Sequence, residues 1–165
     1  MKTTKLEKIS ACRDAIEWVA NQKNYKEAWQ NCERGDWMLW LAKRLKVDDR
    51  KLTLAKFKCA NQVRHLMKDK RSIDALDAAE KYGNGEISRE ELITAAYAAA
   101  YAAAAADAAA YAAAYAAAAA ADAAAYAAAD AADAAYARKE SLKKSADFCR
   151  EILTEDVLTA YAKLR

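Results

Sequence analysis

Residues 94–137 decide the fold, and they read TAAYAAAYAAAAADAAAYAAAYAAAAAADAAAYAAADAADAAYA. After the first threonine this tract consists of alanine, tyrosine and aspartate alone. Alanine is the strongest helix former, and the tract has no glycine or proline to end a helix. The whole chain has only three glycines and no proline, so the residues on which turns and strands depend are scarce throughout. The sequence therefore predicts an all-α protein.

The tyrosines and aspartates of the tract recur at helical spacing. At about 100° per residue they fall within an arc of about 140°, and alanine fills the opposite side of the helix. We name these ten residues the Tyr/Asp stripe and take them as the candidate binding residues: Tyr97, Tyr101, Asp107, Tyr111, Tyr115, Asp122, Tyr126, Asp130, Asp133 and Tyr136.

Two interpretations of the Tyr/Asp stripe stay open at this point. In the first, the stripe packs against a basic helix of the same chain, which satisfies its buried hydroxyls and carboxylates. In the second, the stripe lines a groove, where tyrosines supply contact area and aspartates meet cationic groups of a partner.

The length of the tract bears on its arrangement. A straight helix over 94–137 would be about 65 Å long, whereas a compact domain of this size is about 40 Å across. We expect a mostly continuous helix with room for one break, just before Asp107 or Asp122, where aspartate would cap a new helix. The predicted fold is one domain over 1–165, a single helical bundle with this helix as its spine. Its parts are a tryptophan-rich basic helical part (1–87), the tract helix (88–137) and closing helices (138–165).

Helix boundaries in the N-terminal part follow from apolar spacing and capping residues. The first helix is predicted from Thr4 to Ala20, and residues 21–24 form the turn to the second. We interpret Gly35 as the C-cap of the second helix and Asp36 as the N-cap of the third.

The fourth helix is predicted to be amphipathic and strongly basic. Asp48 or Asp49 caps it, and its apolar face runs on to Val63, Leu66 and Met67. A short fifth helix covers roughly residues 72–82. Near the C-terminus, a threonine at position 154 is expected to cap the last helix.

Catalytic and metal-binding motifs are missing from the sequence. His65 is the single histidine, and no cysteine or carboxylate stands near it at a metal-ligand spacing. No phosphate-binding loop, nucleophile elbow or zinc-protease motif occurs. Residues 83–91 match the later half of an EF-hand loop, but Tyr82 stands where a carboxylate belongs, so we interpret Ser88 and Glu91 as a capping box. We therefore expect no enzyme, no cofactor and no metal.

The cysteines and charges indicate a compartment and a class of partner. The cysteines stand far apart and follow no secretory signal, so we expect reduced core thiols in a cytoplasm. Aspartates interrupt the apolar tract, which argues against a membrane span. The basic stretch 43–71 spreads its charges around a helix with little aromatic interleaving, which argues against nucleic-acid binding. The cysteines are Cys12, Cys32, Cys59 and Cys149.

Several motifs ahead of the tract carry a family resemblance. They are Ala28-Trp29, Cys32, Arg34-Gly35-Asp36-Trp37 and Trp40-Leu41. Together with an alanine tract punctuated by tyrosine and aspartate, they resemble a family of immunity proteins found in bacteria and phages. The resemblance covers most of the chain. It implies a protein that binds and neutralises a toxin or a defence component, without fixing which one.

Three classes of function remain open. We favour a non-enzymatic inhibitor in bacterium–phage conflict, an immunity, anti-defence or anti-CRISPR-like protein that neutralises a protein target by stoichiometric binding. The second class is a sponge for a small signalling nucleotide, because tyrosines could stack on its bases and the basic helix could hold its phosphates. The third class is a structural helical module.

Overall fold

Every described element is a helix. The computed structural model describes residues 4–67, 69–100 and 124–164, with side chains for all of these except 124–135. No strand occurs in these ranges, and the all-α prediction is confirmed. None of the helices within them is both long enough and apolar enough to cross a bilayer. The middle of the tract lies outside the described residues, so a single spine helix stays a prediction.

Short connections join the helices. Their bounds in chain order are α1 (Thr4–Lys8), α2 (Arg13–Ala20), α3 (Tyr25–Asn31), α4 (Gly35–Arg44), α5 (Asp49–Asn61), α6 (Lys70–Asn84), α7 (described over 89–100) and α8 (Ala124–Lys163). One 3₁₀ turn, Arg64–Leu66, separates α5 from α6.

Side chains cap the helix starts at two of the predicted places. Asp48 Oδ1 accepts a hydrogen bond from the Lys51 N–H at 2.9 Å, which makes Asp48 the cap of α5. The Ser88 N–H donates to Glu91 Oε2 at 2.8 Å, and the Glu91 N–H donates back to Ser88 Oγ at 3.2 Å. This reciprocal pair is the predicted capping box.

Left-handed residues end three of the helices. Ser10 follows α1 with a φ of 62°, Lys46 follows α4 with a φ of 52°, and Gly85 follows α6 with a φ of 85°. Paired backbone hydrogen bonds of the Schellman type close each of these ends. The predicted helix from Thr4 to Ala20 was therefore wrong, because it stops at Ser10 and restarts as α2. Apolar spacing does not reveal a left-handed serine.

The first of two compact units comprises Met1–Cys59 and Leu142–Arg165. Its core surrounds the C-terminal part of α8, where Cys149 and Leu153 are fully buried. Met38 and Ala42 of α4 and Leu52 and Ala55 of α5 belong to the same buried cluster. Helix α8 is thus the element on which α3, α4 and α5 pack.

Gly35 lies where α4 begins against α8. A Cβ at position 35 would lie 2.4 Å from Ser145 Cβ and 2.7 Å from the Ala146 nitrogen, much closer than non-bonded heavy atoms approach. A residue with a side chain therefore does not fit at position 35 without moving α4 away from α8. Its assignment as a C-cap and that of Asp36 as an N-cap were wrong, because Arg34 is the N-cap residue of α4 and Asp36 pairs with it.

Thr154 lies within α8, which continues without interruption to Lys163. Its hydroxyl accepts a hydrogen bond from Trp29 Nε1 at 2.8 Å and donates one to the Arg150 carbonyl at 2.6 Å. The prediction that Thr154 caps a last helix was wrong. The hydroxyl serves a buried indole instead, a partner that no local sequence pattern indicates.

Two lysines of the basic helix α5 pair with carboxylates of α8. Lys51 Nζ lies 2.9 Å from an oxygen of Asp156, and Lys58 Nζ lies 2.7 Å from an oxygen of Glu151. Both acids follow the alanine tract. Part of the positive charge that the sequence displays on α5 is therefore neutralised within the first unit.

The second compact unit comprises Ala60–Ser141. Leu76 and Tyr82 of α6 are buried in it. Val63 and Leu66 are 42% and 66% exposed, because α5 ends before them and a 3₁₀ turn follows. The prediction that they extend the buried face of the fourth helix was wrong.

Candidate functional site

A pocket of about 370 Å³ lies within the first compact unit. Helices α1 to α4 and the C-terminal part of α8 contribute its walls. The volume falls in the range of about 300–1,000 Å³ that is usual for ligand sites. We name it the tryptophan pocket, because all four tryptophans of the chain line it along with two tyrosines: Trp18, Trp29, Trp37, Trp40, Tyr25 and Tyr161.

Local packing holds the indole rings in place. Trp18 meets Trp37 edge to face, with ring centroids 6.3 Å apart and planes at 62°. Trp29 is 4% exposed and is fixed by its hydrogen bond to Thr154. Trp18, Trp37 and Trp40 remain half-buried. The pocket therefore combines one anchored, buried indole with three indoles that solvent still reaches.

Cations of the same chain lie against three of the lining rings. The distances to the ring centroids are 4.4 Å for the Arg34 guanidinium and Trp37, 5.4 Å for Lys5 Nζ and Tyr161, and 5.6 Å for the Arg44 guanidinium and Trp40. Such contacts stabilise the rings through attraction between the cation and the ring face. They also place positive charge around the pocket.

Asp36 is the one charged side chain among the described lining residues. Its carboxylate accepts two hydrogen bonds from the Arg34 guanidinium, at 2.8 and 2.6 Å. This hydrogen bonding holds the pKa of Asp36 below its ordinary value. The negative charge of the lining is thus compensated within the protein.

Tyr161 of α8 lines the pocket with its ring. Its side chain is 6% exposed, and its hydroxyl is buried. The ring lies 4.2 Å from the Tyr25 ring, centroid to centroid. Burial, and then hydrogen bonding with Tyr25, raise the pKa of Tyr161, so the hydroxyl keeps its proton.

The four cysteines are free thiols. Cys32 and Cys149 are buried, as the prediction of core thiols requires, and Cys59 is half-buried. Cys12 is exposed, so for this residue the prediction was wrong. Its position between α1 and α2, in a connection that the predicted first helix did not contain, explains the difference.

The Tyr/Asp stripe is only partly described. Tyr97 and Tyr136 are each 69% exposed, and neither lines the tryptophan pocket. The side chains of the other members lie outside the described residues: Tyr101, Asp107, Tyr111, Tyr115, Asp122, Tyr126, Asp130 and Asp133. The choice between a packed stripe and a binding groove therefore stays a prediction.

Sequence reasoning did not find the pocket. One usable indication was present, since all four tryptophans fall between positions 18 and 40. Met38 also lines the pocket and is 2% exposed, and sequence reasoning did not single it out. No local pattern could bring Tyr161, more than a hundred residues away, to the same wall.

Among the described residues, no cluster of histidine, cysteine, aspartate or glutamate is arranged to hold a metal ion. Comparison with known proteins gives no match to a family model, a curated protein or a solved structure. The function is therefore argued from the pocket itself.

Proposed function

We propose that this protein is a non-enzymatic binding protein that neutralises a protein target by stoichiometric occupancy of the tryptophan pocket. The target is a toxin or an immune effector of bacterium–phage conflict in the bacterial cytoplasm, as the family resemblance implies. The observation that carries the proposal is the convergence of all four tryptophans on one pocket. Tryptophan and tyrosine are the residues that most often dominate binding energy at protein interfaces.

The chemistry of the lining supports binding over turnover. Its single carboxylate, Asp36, is held by Arg34 and is therefore a poor general base. Burial raises the pKa of the Cys32 thiol, which disfavours the nucleophilic thiolate. No histidine is found among the described lining residues. The described lining thus offers no free general base beside its thiols.

A nucleotide sponge has less support from the same pocket. Phosphate recognition relies on arginine, lysine or clustered N–H donors. Cations lie against the outer lining rings, but Arg34 is paired with Asp36, and the charged side chain in the lining itself is the carboxylate of Asp36. A purely structural helical module would leave the partly exposed indoles without a role.

The experiment is a calorimetric titration of the intact protein against candidate toxins and immune effectors. We expect saturation at a fixed ratio, with the target recovered chemically unchanged. Trp37→Ala should weaken binding by at least about tenfold. Tyr97→Ala, which removes an exposed ring of the Tyr/Asp stripe, should leave the affinity unchanged, and the reverse pattern would move the binding site to the stripe.

Two further results would contradict the proposal. Inhibition at far less than one molecule per target, with the target chemically altered, would reveal an enzyme. Nucleotide released on heating the purified protein, and detected by mass spectrometry, would favour the sponge.

A further inference from the structure

Two of the four cysteines meet inside the first compact unit. Cys59 lies near the end of α5, and Cys149 lies in the part of α8 on which α5 packs. Cys59 follows the buried Ala55 by one helical turn, so its side chain lies on the face of α5 that meets α8. The two thiols are within hydrogen-bonding distance of each other.

The backbone of α8 supports this contact independently. Cys59 Sγ lies 3.9 Å from the carbonyl oxygen of Ser145, which precedes Cys149 by one helical turn. Side chains of a helix lean toward its N-terminus, so the Cys149 side chain lies over the turn that contains Ser145. Both sulfurs are therefore brought to the same turn of α8.

The two thiols differ in their access to solvent and in their charge. Cys149 is fully buried, whereas Cys59 is half-buried. The Cys149 thiol donates a hydrogen bond to the Cys59 sulfur, which lowers the pKa of Cys59 and raises the pKa of Cys149. Thiolate character is therefore greatest on the sulfur that a small reagent can reach.

This pair suits thiol oxidation better than metal binding. Within the described ranges, no third metal-ligating side chain joins the two sulfurs. An accessible thiolate beside a second thiol is the arrangement of redox-sensing cysteines, in which the second thiol resolves the first oxidation product.

We propose that Cys59 and Cys149 form a modification site that small hydroperoxides oxidise to a disulfide. The Cys59 thiolate attacks one peroxide oxygen: an S–O bond forms, the O–O bond breaks, and the departing hydroxide takes a proton from solvent to become water. The Cys149 sulfur then attacks the sulfur of the Cys59 sulfenic acid. An S–S bond forms, the S–O bond breaks, and the Cys149 proton leaves with the hydroxyl group as water. Two thiols are oxidised, and one hydrogen peroxide molecule is reduced to two waters. This inference is independent of the proposed function.

A peptide map of the wild type tests the site. The reduced full chain is treated with a small molar excess of hydrogen peroxide, unfolded in iodoacetamide, and digested with trypsin without a reducing step. We expect a chain about 2 Da lighter before alkylation and a cross-linked pair of peptides, 59–64 with 145–150, while Cys12 and Cys32 are alkylated. Alkylation of all four cysteines would overturn the inference, as would a cross-link through Cys12 or Cys32 in place of this pair.

Matched variants test the order of the two steps. Cys149→Ala removes the resolving thiol, so dimedone should trap the sulfenic acid on Cys59. Cys59→Ser should leave Cys149 unoxidised, because a buried, protonated thiol reacts slowly. Cys12→Ser removes the exposed cysteine and should form the disulfide at the wild-type rate. Dimedone on Cys149 in Cys59→Ser would overturn the assigned order. Cys149→Ala is compared only if its circular dichroism matches that of the wild type, and the wild-type peptide map decides the inference in either case.

A thermal melt tests whether the disulfide fits the native fold. The bond would close a loop that contains the whole of the second unit, Ala60–Ser141, and a cross-link over so long a loop restricts the unfolded chain. The oxidised wild type should therefore melt at least about 5 °C above the reduced wild type. An equal or lower melting temperature after oxidation would show that the bond distorts the packing of α5 on α8, and would overturn the inference.

Discussion

Replacing Gly35 with alanine adds one methyl group at the closest contact between α4 and α8. The new Cβ would lie 2.4 Å from Ser145 Cβ and 2.7 Å from the Ser145 carbonyl carbon and the Ala146 nitrogen. Because two of these three atoms belong to the backbone of α8, no side-chain rotation relieves the overlap. The two helices must separate by about 1 Å to restore a normal carbon–carbon distance of roughly 3.5 Å.

Separation of these helices affects the core directly. Met38 and Ala42 of α4 belong to one buried cluster with Cys149 and Leu153 of α8. Overpacking of a buried site costs about 1–3 kcal/mol, and a clash with backbone lies at the upper end of that range. Alanine is the better helix former, but its advantage of about 1 kcal/mol is smaller than this cost. We therefore expect Gly35→Ala to lower the free energy of unfolding by about 2 kcal/mol or more.

Urea unfolding followed by circular dichroism measures this change, and a thermal melt should show a fall of about 4–8 °C. Gly83→Ala is the matched control, because Gly83 lies in the last turns of α6 and gains helix propensity on substitution. That control should stabilise by up to about 1 kcal/mol. A Gly35→Ala variant as stable as the wild type would refute the close contact between α4 and α8.

Three further predictions concern single side chains. Burial raises the pKa of Tyr161 above 10.0, so the fold favours the neutral hydroxyl. The wild type should therefore lose stability relative to Tyr161→Phe in urea unfolding as pH rises above 10.0, whereas the difference between the two should stay constant below that pH. Lys46 has a φ of 52°, a backbone conformation that glycine adopts more easily, so Lys46→Gly should stabilise the protein by about 1 kcal/mol in a thermal melt. Lys43→Gly, within α4, should destabilise the protein by about as much. A destabilising Lys46→Gly would contradict the left-handed end of α4. Thr154→Val leaves the Trp29 N–H buried without its acceptor and should cost about 1–3 kcal/mol, while Thr154→Ser should cost less, and equal melting temperatures would argue against this hydrogen bond.

The helix class and most helix starts followed from local chemistry. The cap of α5 by Asp48 and the pairing of Ser88 with Glu91 were predictable. Each contact joins residues three positions apart, so the sequence spacing alone indicates it. Helix ends were harder to predict. Ser10 and Lys46 adopt left-handed backbones that are favoured by glycine, so the residue types gave no indication of the turn.

The pocket lay beyond prediction for a different reason. Tyr161 and Trp29 belong to segments far apart in sequence, and only the packing of α8 brings them to one wall. Gly35 shows the same limit, because its role depends on the backbone of Ser145, more than a hundred residues later. Spacing along one helix indicates which face is buried but does not identify the residue that it meets.

The most direct test of the central claim, that the tryptophan pocket is a single binding site, is a titration with the neutral fluorescent probe N-phenyl-1-naphthylamine. The probe carries two apolar ring systems, which a pocket of about 370 Å³ can accommodate. We predict saturation at one probe per chain for the wild type and loss of binding in Ala15→Phe, which fills the pocket from α2. Ala98→Phe, at an exposed position of α7, should bind like the wild type. Absence of a saturable site, or equal binding by Ala15→Phe in a folded protein, would contradict the account.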